Sequence, residues 1–485
     1  MSIKLKIIKN YCKWFWQNIF FRRLKKRKRD FTVKIKFIYP KFYKFLEARP
    51  ELAEFPAIAA TWAYTMPPAM GIPIMCRLLD SQPDVEYHIQ DQNIEEINFN
   101  DDSDVIAISF FTPQAAEAYK LGDKFLSLGK IVLMGGMHPS MIPDDVQPHC
   151  TSLTVGEGDT IFLQQIDDIR KGCLKPRYQS EIPEPEQIVK PKRGIFEIEK
   201  KYDWHASLVS ITRGCPFSCE WCNIPIYQGT KTRLRPMDEV VEDIRALSGQ
   251  EFYVTDDMIM LNRPRITNYV MELCDKIKDF NVKMFLSCSP AMNTDPKFLD
   301  KIAEAGATSM YTVFASDPFS ARFYEGNQAV YQKCVDLVKQ LEDRGIRFFG
   351  SFAVGYDCCH ENQFDMLLEY CHKANVKTAE FFIATPWPNT PFFNRLQAEN
   401  RLHLPIDWKK YNAANVVFKP KHTTEQQLLD GFLYVWKEFF KEANHEESLA
   451  SFTMDAENIL KSREYSQEVK DAVQRGIDRV RGNQK

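Results

Sequence analysis

The sequence carries almost no net charge: 63 lysines and arginines face 65 aspartates and glutamates, a formal balance of -2. A chain so balanced has no whole-molecule attraction to polyanions, and nucleic-acid contact would need a local basic patch. Only the first thirty residues supply one. No secretory signal precedes the 13 cysteines, so a reducing cytoplasm is expected, with most of them free thiols and no disulfides. A clean membrane span is also lacking. The uncharged stretch from Phe55 to Cys76 is long enough, but Pro56, Pro67, Pro68 and Pro73 interrupt it, and it reads as a loop followed by a buried helix. Internal repeats and low-complexity tracts are missing too. What remains, 44% hydrophobic and 26% charged residues, is the composition of a folded soluble protein. At 485 residues more than one core is expected, roughly three at ~150 residues each.

Residues 1–32 form a basic, aromatic arm. Ile8, Tyr11, Phe15 and Ile19 fall at helical spacing beside Trp14, Trp16 and the Arg22 to Arg29 cluster. The arm suits a helix at the inner face of a membrane; a solvated tail or a helix docked on another subunit fits as well. From 33 to 171 the runs VKIKFIY, VEYHIQ, DVIAISF, KIVLM and SLTV alternate with helical stretches such as Gln114 to Leu128. That is the pattern of a Rossmann-like, doubly wound parallel sheet. Residues 172–205, with Pro176, Pro183, Pro185 and Pro191, read as a linker. Over 206–390 six further strands, LVSIT, EFYVT, KMFLSC, MYTVFA, RFFGSFAV and TAEFFIAT, predict a partial (βα)6 barrel with chemistry at the strands' carboxyl ends. The fold class is therefore α/β, and 391–485 is a mainly helical region whose charged end, Gln467 to Lys485, reads as an exposed helix.

The segment SITRGCPFSCEWCNIP places Cys215, Cys219 and Cys222 in a C-x3-C-x2-C array just after the first barrel strand. Three thiolates on one tight loop can hold three irons of a cubane, leaving the fourth iron open to an outside ligand. A zinc site would want a second cysteine knuckle, which does not follow, and a ferredoxin-type cluster would want a fourth cysteine. Cys358 and Cys359 are adjacent in sequence, poor partners for one cubane, and read with Cys371 as buried or incidental thiols. His360 and His372 read as ordinary satisfied histidines, and Trp387 either lines a pocket or caps the barrel.

With Trp221 before its last cysteine, this array resembles the signature of the radical S-adenosylmethionine (radical SAM) superfamily. The resemblance covers Leu208 to about Thr385. It implies a 4Fe-4S cluster on Cys215, Cys219 and Cys222, cleavage of SAM to a 5'-deoxyadenosyl radical, and supply of the electron by a flavodoxin or ferredoxin. By position it implies that Asp256 and Asp257 meet the SAM amino group, Ser316 and Asp317 the ribose and carboxylate, and Val354 and Gly355 the adenine.

Two glycine loops, MGGMHPS and VGEGDT, end strands of the first domain and let backbone approach a ligand. The first strand-to-helix turn lacks G-x-G-x-x-G, which disfavours nicotinamide or flavin. The pair of loops resembles the cobalamin-binding domain of class B radical SAM enzymes, the group that includes the anaerobic magnesium-protoporphyrin ester cyclase and hopanoid-modifying enzymes. That implies contacts to cobalamin from Gly135, Gly136, His138, Gly156, Glu157 and Gly158. The sequence has no D-x-H-x-x-G, so no histidine is offered to cobalt. His138 orients backbone or touches the corrin edge, and Glu157 binds ligand or caps a helix. The activity implied is cobalamin-dependent methylation of an unactivated carbon of a small-molecule or lipid-like substrate. The alternatives are a radical cyclase, oxidase or rearrangement enzyme with or without corrin, and a non-catalytic cluster or corrin carrier.

Overall fold

The computed structural model describes residues 32–62, 70–194, 207–256, 258–315, 328–359, 361–441, 455–462 and 464–482. The expected N-terminal arm lies outside them. The chain divides into two compact units, one of residues 1–42 and 70–196, the other of 43–69 and 197–485.

The first unit is a six-stranded, wholly parallel sheet in the order β2-β1-β3-β4-β5-β6. Its strands are β1 (Val33–Tyr39), β2 (Val85–Asp91), β3 (Val105–Ser109), β4 (Ile131–Gly135), β5 (Ser152–Val155) and β6 (Arg177–Gln179). Inner strands of such a sheet are covered on both faces, which demands apolar runs. β1 obeys except for Lys34, which is half-buried, and Lys36, which is fully buried, paired with Asp101, and lies 5.6 Å over the Phe125 ring. The strand order reverses between β1 and β3, and the carboxyl ends there and at β4 and β5 are where ligands of such sheets sit.

The second unit holds a six-stranded parallel sheet in the order β14-β13-β12-β11-β10-β7, the partial barrel expected. It comprises β7 (Ser207–Val209), β10 (Glu251–Val254), β11 (Lys283–Cys288), β12 (Ala307–Ala315), β13 (Arg347–Val354) and β14 (Ala379–Ile383). A short antiparallel pair, β8 (Thr212–Arg213) with β9 (Arg233–Leu234), carries the cysteine loop between its strands. The edge strand β14 is covered: Ala413 O accepts from Ile383 N–H at 2.8 Å, and Trp436 Nε1 of the helix Glu425–Lys441 donates to Phe381 O at 3.2 Å. No helix among the described residues is long and apolar enough to cross a membrane.

Three expectations need correction. Residues 43–69 leave the first unit for the second, because Phe45 and Trp62 stack at 4.7 Å and pack against Phe382, with Phe45 also meeting Trp436. The segment from 172 does not act as a linker as far as residue 196: Arg177–Gln179 pairs with β5 as the sheet's sixth strand. The helix Gln467–Gly482 is not exposed all round, since Val469, Ala472, Val473, Gly476 and Ile477 are buried.

Candidate functional site

The three cysteines of the array lie at the carboxyl end of the first barrel strand, and the loop's shape comes from a few contacts. Gly214 has φ +85°, and a Cβ there would stand 2.4 Å from Lys231 O, so only glycine lets the hairpin close. Gln228 Oε1 accepts from Gly214 N–H at 3.0 Å, and Gly229 O accepts from Cys215 N–H at 3.1 Å. Cys219 O accepts from Cys222 N–H at 3.2 Å, and Cys222 Sγ accepts from Ile224 N–H at 3.4 Å. Cys215 is buried, while Cys219 and Cys222 are half-buried. Among the described residues no three His, Cys, Asp or Glu side chains, these cysteines included, are grouped to hold a single metal ion. Three thiols in one eight-residue loop are the donor set that a cubane cluster with an open fourth iron would take.

Asp256, at the carboxyl end of β10, is buried, and its Oδ2 accepts from the N–H groups of Ile211 and Thr212, each at 2.6 Å. It therefore fixes the strand that launches the cysteine loop. Beneath it Arg235, 1% exposed, donates through Nη1 to Ser210 O at 2.6 Å and pairs with Asp243 at 3.3 Å. Sequence reading missed Arg235, and nothing in its surroundings in sequence signals it. Asp257, Ser316 and Asp317 lie outside the described residues. Val354 is buried and Gly355 comes next with φ +94°; a Cβ on Gly355 would meet Leu428 at 2.8 Å, and its N–H donates to Gln363 Oε1 at 2.7 Å. Val354 ends β13, and Gly355 follows it.

The far side of the cysteine loop is held by the chain beyond β14. Thr390 caps the helix Pro391–Ala398, accepting from Phe393 N–H through its hydroxyl, with Pro391 in the first turn. From that helix Phe392 N–H donates to Glu220 O at 2.9 Å and Arg395 grips the Glu220 carboxylate. Trp221, Tyr356 and Phe392 pack in series as tilted rings, with centroids 5.2 and 5.3 Å apart. Asp357 receives Arg401 through both guanidinium nitrogens, at 2.8 and 2.6 Å, and Arg395 at 3.3 Å. A cleft of about 750 Å³ opens among these groups. Cys358 lines it, whereas Cys359 and Cys371 are buried thiols held less acidic than usual, Cys359 by its hydrogen bond with Cys358 and then by burial, Cys371 by burial. Trp387 is half-buried and lends its carbonyl to the Thr390 cap at 2.7 Å; His360 lies outside the described residues.

Inside the barrel, a second feature escaped the sequence reading. Glu380 on β14 is buried and hydrogen-bonded by Tyr311, whose hydroxyl also meets Ser351 Oγ at 2.9 Å. Burial pushes this carboxyl up to about 7.

In the first unit the two glycine loops meet at the carboxyl edge. Ser140 Oγ donates to Gly136 O at 2.7 Å and accepts from Gly156 N–H at 2.9 Å. Gly136 (φ +107°) could not carry a Cβ, which would stand 2.7 Å from Phe110 O. Gly135 and Gly158 frame the same edge, with Met75 against Gly158. Glu157 is buried and makes no side-chain cap. The His138 ring is fully buried, with Nε2 2.9 Å from Tyr119 Oη and Nδ1 3.1 Å from Thr112 Oγ1. Tyr119 donates to Asp145 Oδ2 at 2.7 Å; a carboxylate only accepts, so Tyr119 oxygen accepts from His138 Nε2–H and Nδ1 accepts from Thr112. Burial, partly offset by Asp145, pushes His138 down to about 3, and the neutral ring has no nitrogen left for a metal.

Comparison with known proteins agrees with this construction. The Radical SAM superfamily model matches residues 209–371. A bacteriochlorophyllide d C-12(1)-methyltransferase of Chlorobaculum tepidum is 29% identical, over 70% of this chain and 75% of its own. The anaerobic magnesium-protoporphyrin IX monomethyl ester cyclase of Cereibacter sphaeroides is 21% identical over 79% of this chain and 68% of its own. In fold the chain resembles the radical SAM methyltransferase TsrM from Kitasatospora setae, at a TM-score of 0.65 and 13% identity, covering 93% of this chain and 99% of that one. It also resembles the cobalamin-dependent radical SAM enzyme OxsB, at 0.60 and 12%, covering 88% and 71%. With its cysteine array at the head of a parallel partial barrel, the stretch 209–371 is a Radical SAM domain, and a unit built on a second parallel sheet comes before it in the chain.

Proposed function

We propose that this enzyme methylates an unactivated carbon of a small-molecule or lipid-like substrate, with SAM as radical source and methyl donor and cobalamin as methyl carrier. The observation that carries the reading is the loop of three thiols without a fourth cysteine, joined in one chain to a parallel sheet whose two glycine loops meet at its carboxyl edge. The names of its relatives, among them bacteriochlorophyllide and hopanoid methyltransferases, support methyl transfer.

Cys215, Cys219 and Cys222 would hold the cluster. When bound, it supplies one electron to SAM at its open iron, and the corrin supplies a relayed methyl group. The protein's own part is placement. Asp256 fixes the strand behind the cysteine loop through two amides, and Arg395 with Phe392 holds the loop's outer side. Asp257, Ser316 and Asp317, which follow β10 and β12 in the sequence, would contact the amino, ribose and carboxylate groups of SAM, with Val354 and Gly355 beside the adenine. Backbone of Gly135, Gly136, Gly156, Glu157 and Gly158 would face the corrin. His138, neutral and fully engaged, would hold that loop in shape and leave cobalt alone. Keeping water out of the barrel interior would protect a carbon radical from quenching.

The test is anaerobic purification from cells supplied with cobalamin, cluster reconstitution, and incubation with SAM and a strong reductant. Stoichiometric corrin, about four irons per chain, and both 5'-deoxyadenosine and S-adenosylhomocysteine are expected; Cys219→Ala should lose the deoxyadenosine. An iron–sulfur band with deoxyadenosine but neither corrin nor S-adenosylhomocysteine would overturn methyl transfer.

A further inference from the structure

We infer that Cys358 and Cys359 are a redox pair: a low-molecular-weight disulfide oxidises them reversibly to a disulfide between neighbours in sequence, and Tyr356 passes the change to the cysteine loop. The second half of the inference rests on the cluster reading of Cys215, Cys219 and Cys222.

The two thiols differ in the way this chemistry needs. Cys358 is exposed and lines the open cleft, whereas Cys359 is buried. The Cys359 thiol is hydrogen-bonded to Cys358, and that bond, ahead of burial, holds Cys359 less acidic than usual. Cys359 therefore keeps its proton and donates it toward the Cys358 sulfur. An incoming disulfide meets Cys358 first, and the sulfur that resolves the adduct already stands beside it. The other thiols are built differently: Cys371 is buried and shaped by burial alone, and the exposed Cys173 bonds a carboxylate, Asp168, at 3.5 Å.

With oxidised glutathione, the Cys358 thiolate attacks one sulfur, forms a mixed disulfide and releases a glutathione thiolate, which takes up the proton Cys358 gave. Cys359 then gives up its proton and attacks the Cys358 sulfur, forming the Cys358–Cys359 bond and releasing the second glutathione as a thiol. Two protein thiols are oxidised and one glutathione disulfide is reduced. Neighbouring Cα atoms stand about 3.8 Å apart, short of the about 4.4 Å at which ordinary disulfides begin, so the product is strained and returns readily to thiols.

Cys359 N–H donates to Tyr356 O at 2.9 Å, closing a turn over Asp357 and Cys358. The earlier part of that turn is fixed, since Gly355 N–H donates to Gln363 Oε1 at 2.7 Å and Asp357 is held by Arg395 and Arg401. Twisting the Cys358–Cys359 peptide into a disulfide therefore falls on the Tyr356–Cys359 hydrogen bond. Tyr356 is buried and packs against Trp221, at 5.2 Å between centroids, and Cys359, Cys358, Glu220 and Cys222 all act on its hydroxyl. One side chain thus joins the turn of the thiol pair to the loop that carries Cys222.

The experiment uses the full chain with its cluster reconstituted, held anaerobically with oxidised glutathione, then alkylated, digested and read by mass spectrometry. The peptide carrying both cysteines should lose two hydrogens and take no alkyl group, and dithiothreitol should restore both alkylation sites. Cys359→Ser should stop at the first step with one glutathione on Cys358, and Cys358→Ser should leave Cys359 unoxidised. Oxidised wild type should release iron to a chelator several-fold faster than the reduced chain, while Cys358→Ser releases it equally with and without oxidised glutathione. Both cysteines fully alkylated, or a glutathione adduct that wild type keeps, would overturn the redox pair. Equal iron release from oxidised and reduced wild type would overturn the relay through Tyr356. If no cluster forms, the relay falls with the cluster reading beneath it, and the same mapping on the cluster-free chain still decides the pair.

Discussion

At the scale of single residues, two buried titratable groups pull stability in opposite directions with pH. Glu380 is held at about 7 by burial, above its unfolded value, so the native state binds the extra proton and stability falls as pH rises from about 4.5 through 7. Glu380→Gln keeps the hydrogen bond to Tyr311 without the charge. It should raise Tm at pH 8 and leave it nearly unchanged at pH 4.5; equal shifts at both would show that the carboxyl is not protonated. His138 is held at about 3, below its unfolded 6.5, so the unfolded state binds the extra proton. The stability it contributes is complete above about pH 6.5 and drains away as pH falls toward 3. His138→Gln can still donate to Tyr119 and accept from Thr112. It should flatten the loss of Tm between pH 6.5 and 4.5, and an unchanged slope would contradict the buried neutral ring. Neither position was legible as a titrating site in sequence. His138 was visible only as part of a glycine loop, and the partners that set its state, Thr112, Tyr119 and Asp145, are brought in by folding. Glu380 sits in an apolar strand where one carboxylate reads as an ordinary polar interruption.

At the scale of elements, the cysteine hairpin shows which parts of a site sequence reveals. The spacing of Cys215, Cys219 and Cys222 is local and could be read directly, as could the strand that precedes it and the carboxyl-end location. The braces of the hairpin are not local: Asp256 arrives from β10, Arg235 from beyond β9, and Arg395 from a helix 176 positions after Cys219. Because Asp256 Oδ2 satisfies two buried amides, Asp256→Ala should cost about 2–4 kcal/mol, the penalty for two orphaned donors, while Asp256→Asn keeps an acceptor and costs less. Gly214→Ala faces both the positive φ and a carbonyl 2.4 Å away, so it should distort the hairpin itself. The discriminating measurement is iron bound per folded chain after reconstitution. Both alanine variants should bind less than wild type, and Asp256→Asn should bind nearly as much. Full iron loading in Gly214→Ala would show that the hairpin's geometry does not govern the metal site.

At the scale of the whole molecule, the chain order of the elements was legible and their assignment to units was not. Every strand of the two parallel sheets could be read from its pattern except β6, three residues long and too short to show a period. The buried stripe Val469, Ala472, Val473, Gly476 and Ile477 was present at helical spacing, but the charges around it dominated the reading. The larger miss was residues 43–69. They come directly after β1, and nothing in the segment itself says that Phe45 and Trp62 will pack against Phe382 and that Phe45 will meet Trp436, all of them far along the chain. The same region receives the C-terminal helix: a Cβ on Gly476 would stand 2.3 Å from Glu54 O, and Arg475 and Arg479 both pair with Glu54. Tyr465 donates its hydroxyl to Trp62 O. The second unit is thus discontinuous in sequence, and cutting the chain at a sequence-read boundary removes part of its core. A fragment of residues 206–485 should leave Phe432, Trp436 and Phe382 uncovered on one side, a loss of several kcal/mol at about 1.5–3 kcal/mol per large apolar side chain. It should therefore be aggregated or quickly proteolysed. Joining residues 43–69 to its N-terminus through a flexible linker should restore a soluble unit with a cooperative melt, because the missing piece returns as an intramolecular partner. A fragment 206–485 that melts cooperatively on its own would show that the inserted segment is a passenger on the barrel and not part of its core.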